Sequence, residues 1–214
     1  IEEAQRAFPD VDLREDVALR SLNYATALVK YGGETNYNKA VHYFAEAIRL
    51  RNELYLEDGE NVTRIRNLSA AYDEIGAFIS EFSTGENRRN AEEYLKRSLE
   101  LKKSFAGKIP DVEYRDGLIN SYVYFAKLLS LKASVTDVIT SKSNNEDAIE
   151  YLCSALPLIR QNYSVTRKPY YVVSEMNAYE MLGTIYGDKL GTAYDPKKSR
   201  DCHDEVIMIY RKAD

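Results

Sequence analysis

Residue types able to do chemistry are sparse in this chain. Its only histidines are His42 and His203, and its only cysteines are Cys153 and Cys202. Both histidines fall within stretches of helical periodicity, far apart in the chain, and each reads as a solvated or edge-of-core side chain rather than as a base beside a nucleophile. The run Asp201-Cys202-His203-Asp204 puts a thiol, an imidazole and two carboxylates in four consecutive positions, which invites a metal or thiolate reading. Adjacent residues of a helix point in different directions, however, and no second Cys/His pair exists to complete a tetrahedral site. The run therefore reads as structural. The motifs GxGxxG, GxxxxGK(S/T), HExxH and GxSxG do not occur, so no active site, metal or cofactor is expected within these residues.

Composition narrows the partners. Thirty-four acidic against 29 basic residues give a net charge of −5, which repels a phosphate backbone, so nucleic acid is not expected as the main partner. No apolar run approaches membrane-spanning length, and the opening IEEAQRAFPDVD has neither the basic start nor the apolar core of a signal peptide. A membrane partner is not expected. Two cysteines in 214 residues fit a reducing compartment, and the chain reads as cytoplasmic. Sequons at Asn61, Asn67 and Asn162 are discounted as glycosylation sites for the same reason.

The elements that would carry any site repeat. NYNKAVHYFAEAIRLRNELY, from Asn36, returns as NRRNAEEYLKRSLELKKSF, from Asn87, and as NNEDAIEYLCSALPLIRQNY, from Asn144; KKSRDCHDEVIMIY is a weaker fourth copy. Their landmark residues Ala40, Ala91, Ala148 and Ser199 are spaced by 51, 57 and 51 residues. Four positions on stand Phe44, Leu95, Leu152 and His203, and three further Ala47, Ser98, Ala155 and Val206, which is one face of a helix packed closely on a neighbour. Upstream of each lies another helix, marked by Ser21, Tyr72, Tyr122 and Tyr179, with the pairs Tyr24-Ala25, Ile75-Gly76, Phe125-Ala126 and Leu182-Gly183 after them. A small residue flanked by bulky ones lets two helices cross tightly, so the unit is a helical hairpin. The joints repeat too: PDVDLRED at Pro9 returns as PDVEYRDG at Pro110, a helix stop followed by a helix start.

The spacing predicts an all-helical chain with helices over 12–31, 36–56, 62–82, 87–106, 113–132, 145–163, 170–189 and 197–212. Pro157 should kink the sixth of these by removing the hydrogen bond to the carbonyl of Cys153. The Ser/Thr-rich stretch 132–145 reads as a mobile loop insertion, either inert or a contact or modification site. Because the joint at Pro9 matches the later ones, IEEAQRAF is expected to be the tail of a preceding second helix, and the chain a fragment of a longer protein.

The order aromatic, bulky-small, bulky, then Ala, large, small across two helices resembles the tetratricopeptide repeat. The resemblance covers almost the whole chain and is clearest at Tyr72, Ile75, Gly76, Ile79, Ala91, Leu95 and Ser98 and at Tyr122, Phe125, Ala126, Leu129, Ala148, Leu152 and Ala155. A standard unit has about 34 residues, whereas these run to about fifty, similar to the long repeats of bacterial multidomain signalling proteins and, more distantly, of kinesin light chains. The resemblance implies an α-solenoid of about four hairpins forming one continuous domain. Its parts would be the end of a preceding repeat (1–11) and units at 12–61, 62–111, 112–168 (with the 132–145 insertion) and 169–214.

In that superfamily first helices line a concave groove. The positions carried over include Leu19, Leu22, Asn23 and Thr26 in the first unit, then Asp73, Glu74, Ala77 and Glu81. They continue with Asn120, Val123, Tyr124 and Lys127, and with Asn177, Glu180, Met181, Thr184 and Asp188. The Lys/Asn/Lys/Arg clamp by which chaperone-binding members hold a terminal carboxylate is missing. The expected peptide-groove residues are Asp73, Glu74, Asn120, Tyr124, Lys127, Asn177 and Glu180, with the asparagines pairing to a peptide backbone and the carboxylates favouring a basic or polar segment. The expected function is a non-catalytic scaffold for a protein or peptide partner. Two further readings remain open: a regulatory segment of a kinase or protease, and the sensor part of a peptide-responsive transcription regulator, with their other domains outside these residues.

Overall fold

The computed structural model describes residues 11–32, 34–82, 87–133, 138–188 and 191–213, and among them every regular element is a helix. In chain order these are α1 (Arg14–Tyr31), α2 (Glu34–Glu57), α3 (Val62–Phe82), α4 (Asn87–Ser104), α5 (Asp111–Ala133), α6 (Val138–Thr166), α7 (Pro169–Gly187) and α8 (Pro196–Ala213). Local chemistry sets several ends. Asn61 caps α3, its side-chain oxygen accepting from the backbone N–H groups of Thr63 and Arg64 at 3.1 and 3.2 Å. Asp195 does the same for α8 through Lys197 and Lys198 at 3.1 and 3.0 Å, and proline is the first residue of α7 and α8, where its missing N–H costs nothing. Gly32 ends α1 with φ of 68°, a left-handed conformation glycine adopts without strain.

Packing is sequential. The most extensive contacts are within α1/α2, α3/α4, α5/α6 and α7/α8, and the remaining substantial ones join helices one or two apart in the chain. The apolar core follows this order as two adjoining clusters, one running from Ala18 to Leu128 and one from Ile119 to Ile185. Ala40, Ala91 and Ala148, with Leu95 and Leu152 beside them, are fully buried. At Gly76 an added Cβ would lie 2.8 Å from Leu95 Cγ and 3.3 Å from the Ala91 carbonyl oxygen, and at Gly183 it would lie 2.9 Å from the His203 ring. The small residues are thus where the paired helices cross, as the spacing predicts. His203 fills the place of Leu95, at the edge of the core.

Between successive pairs, one polar side chain from a second helix ties three helices together. Arg51 of α2 donates to Glu15 of α1 at 2.8 Å and to the carbonyl of Asn67 in α3 at 2.9 Å. Lys102 of α4 donates to Asp73 of α3 and, at 2.8 Å, to Ser121 of α5. Asn162 of α6 donates to the Val112 carbonyl and to Asp116 in α5 at 3.1 and 2.9 Å, while the Tyr171 hydroxyl of α7 donates to Asp116 at 2.7 Å. Burial raises the pKa of that phenol to about 12, assisted by the Asp116 carboxylate. Tyr171→Phe should therefore cost about 1–2 kcal/mol in urea unfolding, whereas the same change at exposed Tyr170 should stay within about 0.5 kcal/mol.

Two sequence expectations need correction. The 132–145 stretch is not a loop: α5 continues to Ala133 and α6 begins at Val138, with 134–137 outside the described residues. Ser141, Asn144 and Asn145 are buried on the same stripe as Ala148 and Leu152, so tertiary packing extends the helix through polar residues that by type suggest a loop. α6 also runs on past Pro157, which lies on its exposed side. The second correction concerns Lys102, which as a lysine in the charged run KRSLELKKS is expected to be exposed and to tolerate alanine, yet it is only 4% exposed. Residues 1–10, including the expected tail IEEAQRAF, lie outside the described residues.

Candidate functional site

The candidate residues sit on the first helix of each pair. Asn120 of α5 and Asn177 of α7 occupy equivalent positions, both are exposed, and neither side chain bonds to a described residue. Each presents a donor and an acceptor to solvent. Glu180, one turn beyond Asn177, is exposed and unpaired as well. Tyr124, one turn beyond Asn120, is half-buried. Burial pushes its phenol pKa up, helped by Asp73 and Glu74 across on α3 and by Tyr170 on α7, so these four groups lie within electrostatic reach of one another.

The carboxylates do not behave alike. Asp73, expected to face a groove, is 5% exposed and is held by Lys102 and by the Ser121 hydroxyl, which donates to it at 3.2 Å. It cannot select the charge of a ligand, because its own charge is already compensated inside the protein. Desolvation keeps the Lys102 pKa below its ordinary value, against the pull of Asp73. Lys127 pairs with Glu81 at 2.8 Å across α5 and α3, with both side chains about half exposed, a contact worth about 0–1 kcal/mol. Glu74 retains solvent access, yet desolvation by its neighbours raises its pKa, with Arg51 lowering and Asp73 raising it in smaller measure.

Sequence reasoning missed two members of this surface. Tyr170 and Val173, 56% and 54% exposed, stand seven and four positions before Asn177 on the same stripe of α7. Continuing the helical spacing backwards from Asn177 would have found them. Elsewhere, clefts of about 310 and 320 Å³ lie between successive pairs, lined mostly by second-helix residues and floored by Tyr72 and Tyr122 respectively. The first lining balances Arg97 against Glu100, while the second sets Lys103 against Asp147 and Glu150 and is net negative.

Among the described residues no helix is long and apolar enough to cross a membrane, and no group of three or more His, Cys, Asp or Glu side chains is placed to hold a metal ion. No protein-family model matches the chain, and no curated protein is significantly similar to it.

Proposed function

We propose that this chain is a tetratricopeptide-like α-solenoid that holds an extended peptide, or an extended segment of a partner protein, along the exposed stripe of its first helices. Sequential pairing of the helices among the described residues is the packing such a solenoid requires. The observation that carries the binding reading is the pair Asn120 and Asn177: two amides in the same register of successive first helices, exposed and unbonded. Side-chain amides so repeated match the repeating N–H and C=O groups of an extended backbone. Glu74 and Glu180 favour a basic segment.

Calorimetry with a peptide from a partner found by pull-down tests this. Asn120→Ala combined with Asn177→Ala should weaken binding by about tenfold at every salt concentration, since two hydrogen bonds are lost. Glu74→Gln combined with Glu180→Gln should mainly flatten the salt dependence, because exposed charges are screened over about 8 Å at physiological ionic strength. Unchanged affinity in both double mutants would move the binding site to another face.

A further inference from the structure

Among the described residues φ enters the left-handed region at Gly32, Gly107 and Arg167, with values of 68°, 75° and 57°. Glycine adopts this conformation freely, whereas in arginine it crowds the Cβ, and such an outlier persists where something other than the backbone requires the residue. Arg167 follows the last turn of α6, its backbone N–H donating to the Tyr163 carbonyl at 2.8 Å, a helix ending that ordinarily takes glycine. The fold does not call for arginine there. Counted from the landmark residues Ala148 and Ala40, the counterparts of Tyr163 and Arg167 in the first unit are Tyr55 and Gly59. What distinguishes Arg167 is its side chain: the guanidinium lies over the Tyr163 ring, 5.6 Å from the centroid, and forms no ion pair with a carboxylate among the described residues.

Tyr163 also lines a cleft of about 320 Å³ between α6, α7 and α8, whose other apolar walls are Val172, Met208 and Ile209. Met208 is 39% exposed, so the cleft offers water an apolar surface that an incoming apolar side chain would cover. Its charged lining balances, Arg160 and Lys212 against Glu175 and Glu205, and Arg160 is bonded to Glu175 at 2.5 Å and to the Tyr179 hydroxyl at 2.7 Å. Arg167, on the ring of Tyr163, adds a positive excess that the clefts at Tyr72 and Tyr122 lack. A guanidinium stacked by its face keeps its edge N–H groups free to hold a carboxylate through two parallel hydrogen bonds. We infer that this cleft and Arg167 form a binding site for an acidic peptide segment in which an Asp or Glu adjoins a bulky apolar residue. The apolar side chain sits against Val172, Met208 and Ile209, and the carboxylate is held at Arg167. The site is built mainly by second helices and is independent of the first-helix stripe proposed above.

The probes are the tetrapeptide acetyl-Gly-Phe-Glu-Gly-amide and its twin with glutamine, which keeps the shape and loses the charge, each titrated into the ¹⁵N-labelled chain. Both should shift the amide signals of Tyr163, Val172 and Ile209. The glutamate peptide should bind about fivefold more tightly, a preference that shrinks as salt is added. A third peptide, with alanine in place of phenylalanine, should bind more weakly than the first. Arg167→Gly separates recognition from folding, because it removes the left-handed arginine: urea unfolding should show a protein about as stable as the parent, while the preference for glutamate over glutamine disappears. Equal affinities of the glutamate and glutamine peptides, or a preference that survives Arg167→Gly, would reject the site. A clear loss of stability in Arg167→Gly would also reject it, by making the arginine a part of the fold. Shifts confined to other faces, or none at millimolar peptide, would do the same.

Discussion

Lys102→Met is expected to destabilise the protein by about 3–5 kcal/mol, because it strands the Asp73 carboxylate, 5% exposed, without its cation. The Ser121 hydroxyl still donates to Asp73, but one neutral hydrogen bond does not replace a charge. Urea unfolding of three variants separates this from simple loss of packing. Asp73→Leu with Lys102→Met removes both charges and should recover most of the loss, since a buried pair replaced by apolar groups is often neutral or stabilising. Lys103→Ala, one residue along and exposed, should change stability by no more than about 0.5 kcal/mol. A Lys102→Met protein as stable as the parent would mean that the pair is open to water in solution.

Gly76→Leu should cost about 1–3 kcal/mol through overpacking. Two effects oppose each other at this position. Any side chain but proline gains up to about 1 kcal/mol of helix propensity over glycine, but the first added carbon already meets Leu95 Cγ at 2.8 Å, and Leu95 is fully buried. The clash outweighs the propensity. In a Leu95→Ala background only the Ala91 carbonyl oxygen, 3.3 Å from the added carbon, still crowds it, so the cost of Gly76→Ala should fall sharply, a coupling visible in a double-mutant cycle. If Gly76→Leu melts with the parent, α3 and α4 do not cross at this residue.

The helices and their crossings are legible in the sequence because each depends on spacing alone. Ala91, Leu95 and Ser98 lie on one stripe whatever surrounds them, and Gly76, the one glycine of α3, meets Ala91 and Leu95. The joints between pairs are harder to read, since they depend on which charge finds a partner in three dimensions. Even so, the signal at Lys102 was present: extending the stripe Ala40, Phe44, Ala47 by one further turn reaches Arg51, and extending Ala91, Leu95, Ser98 reaches Lys102. Both are buried. Residue type suggested the surface while position required the interior, and position prevailed because Asp73 and Glu15 were there to receive the charges. The start of α6 was illegible for the opposite reason. Ser141, Asn144 and Asn145 have poor helix propensity and make a plausible loop, and only the adjoining α5 makes their burial on a helix favourable. At the candidate site, Asn120 and Asn177 could be found by register, whereas the loss of Asp73 to Lys102 could not be anticipated from α3 alone.

The central claim, that an extended segment lies along the first helices, is tested most directly by photo-cross-linking. A bound peptide from the partner would carry a diazirine residue placed in turn near each end, and the adducts would be mapped by mass spectrometry. The account predicts adducts on the exposed stripes of α3, α5 and α7, around Glu74, Asn120 and Asn177, with the attachment point moving from one first helix to the next as the diazirine moves along the peptide. Adducts concentrated on α2, α4, α6 or α8, or scattered without order, would contradict it.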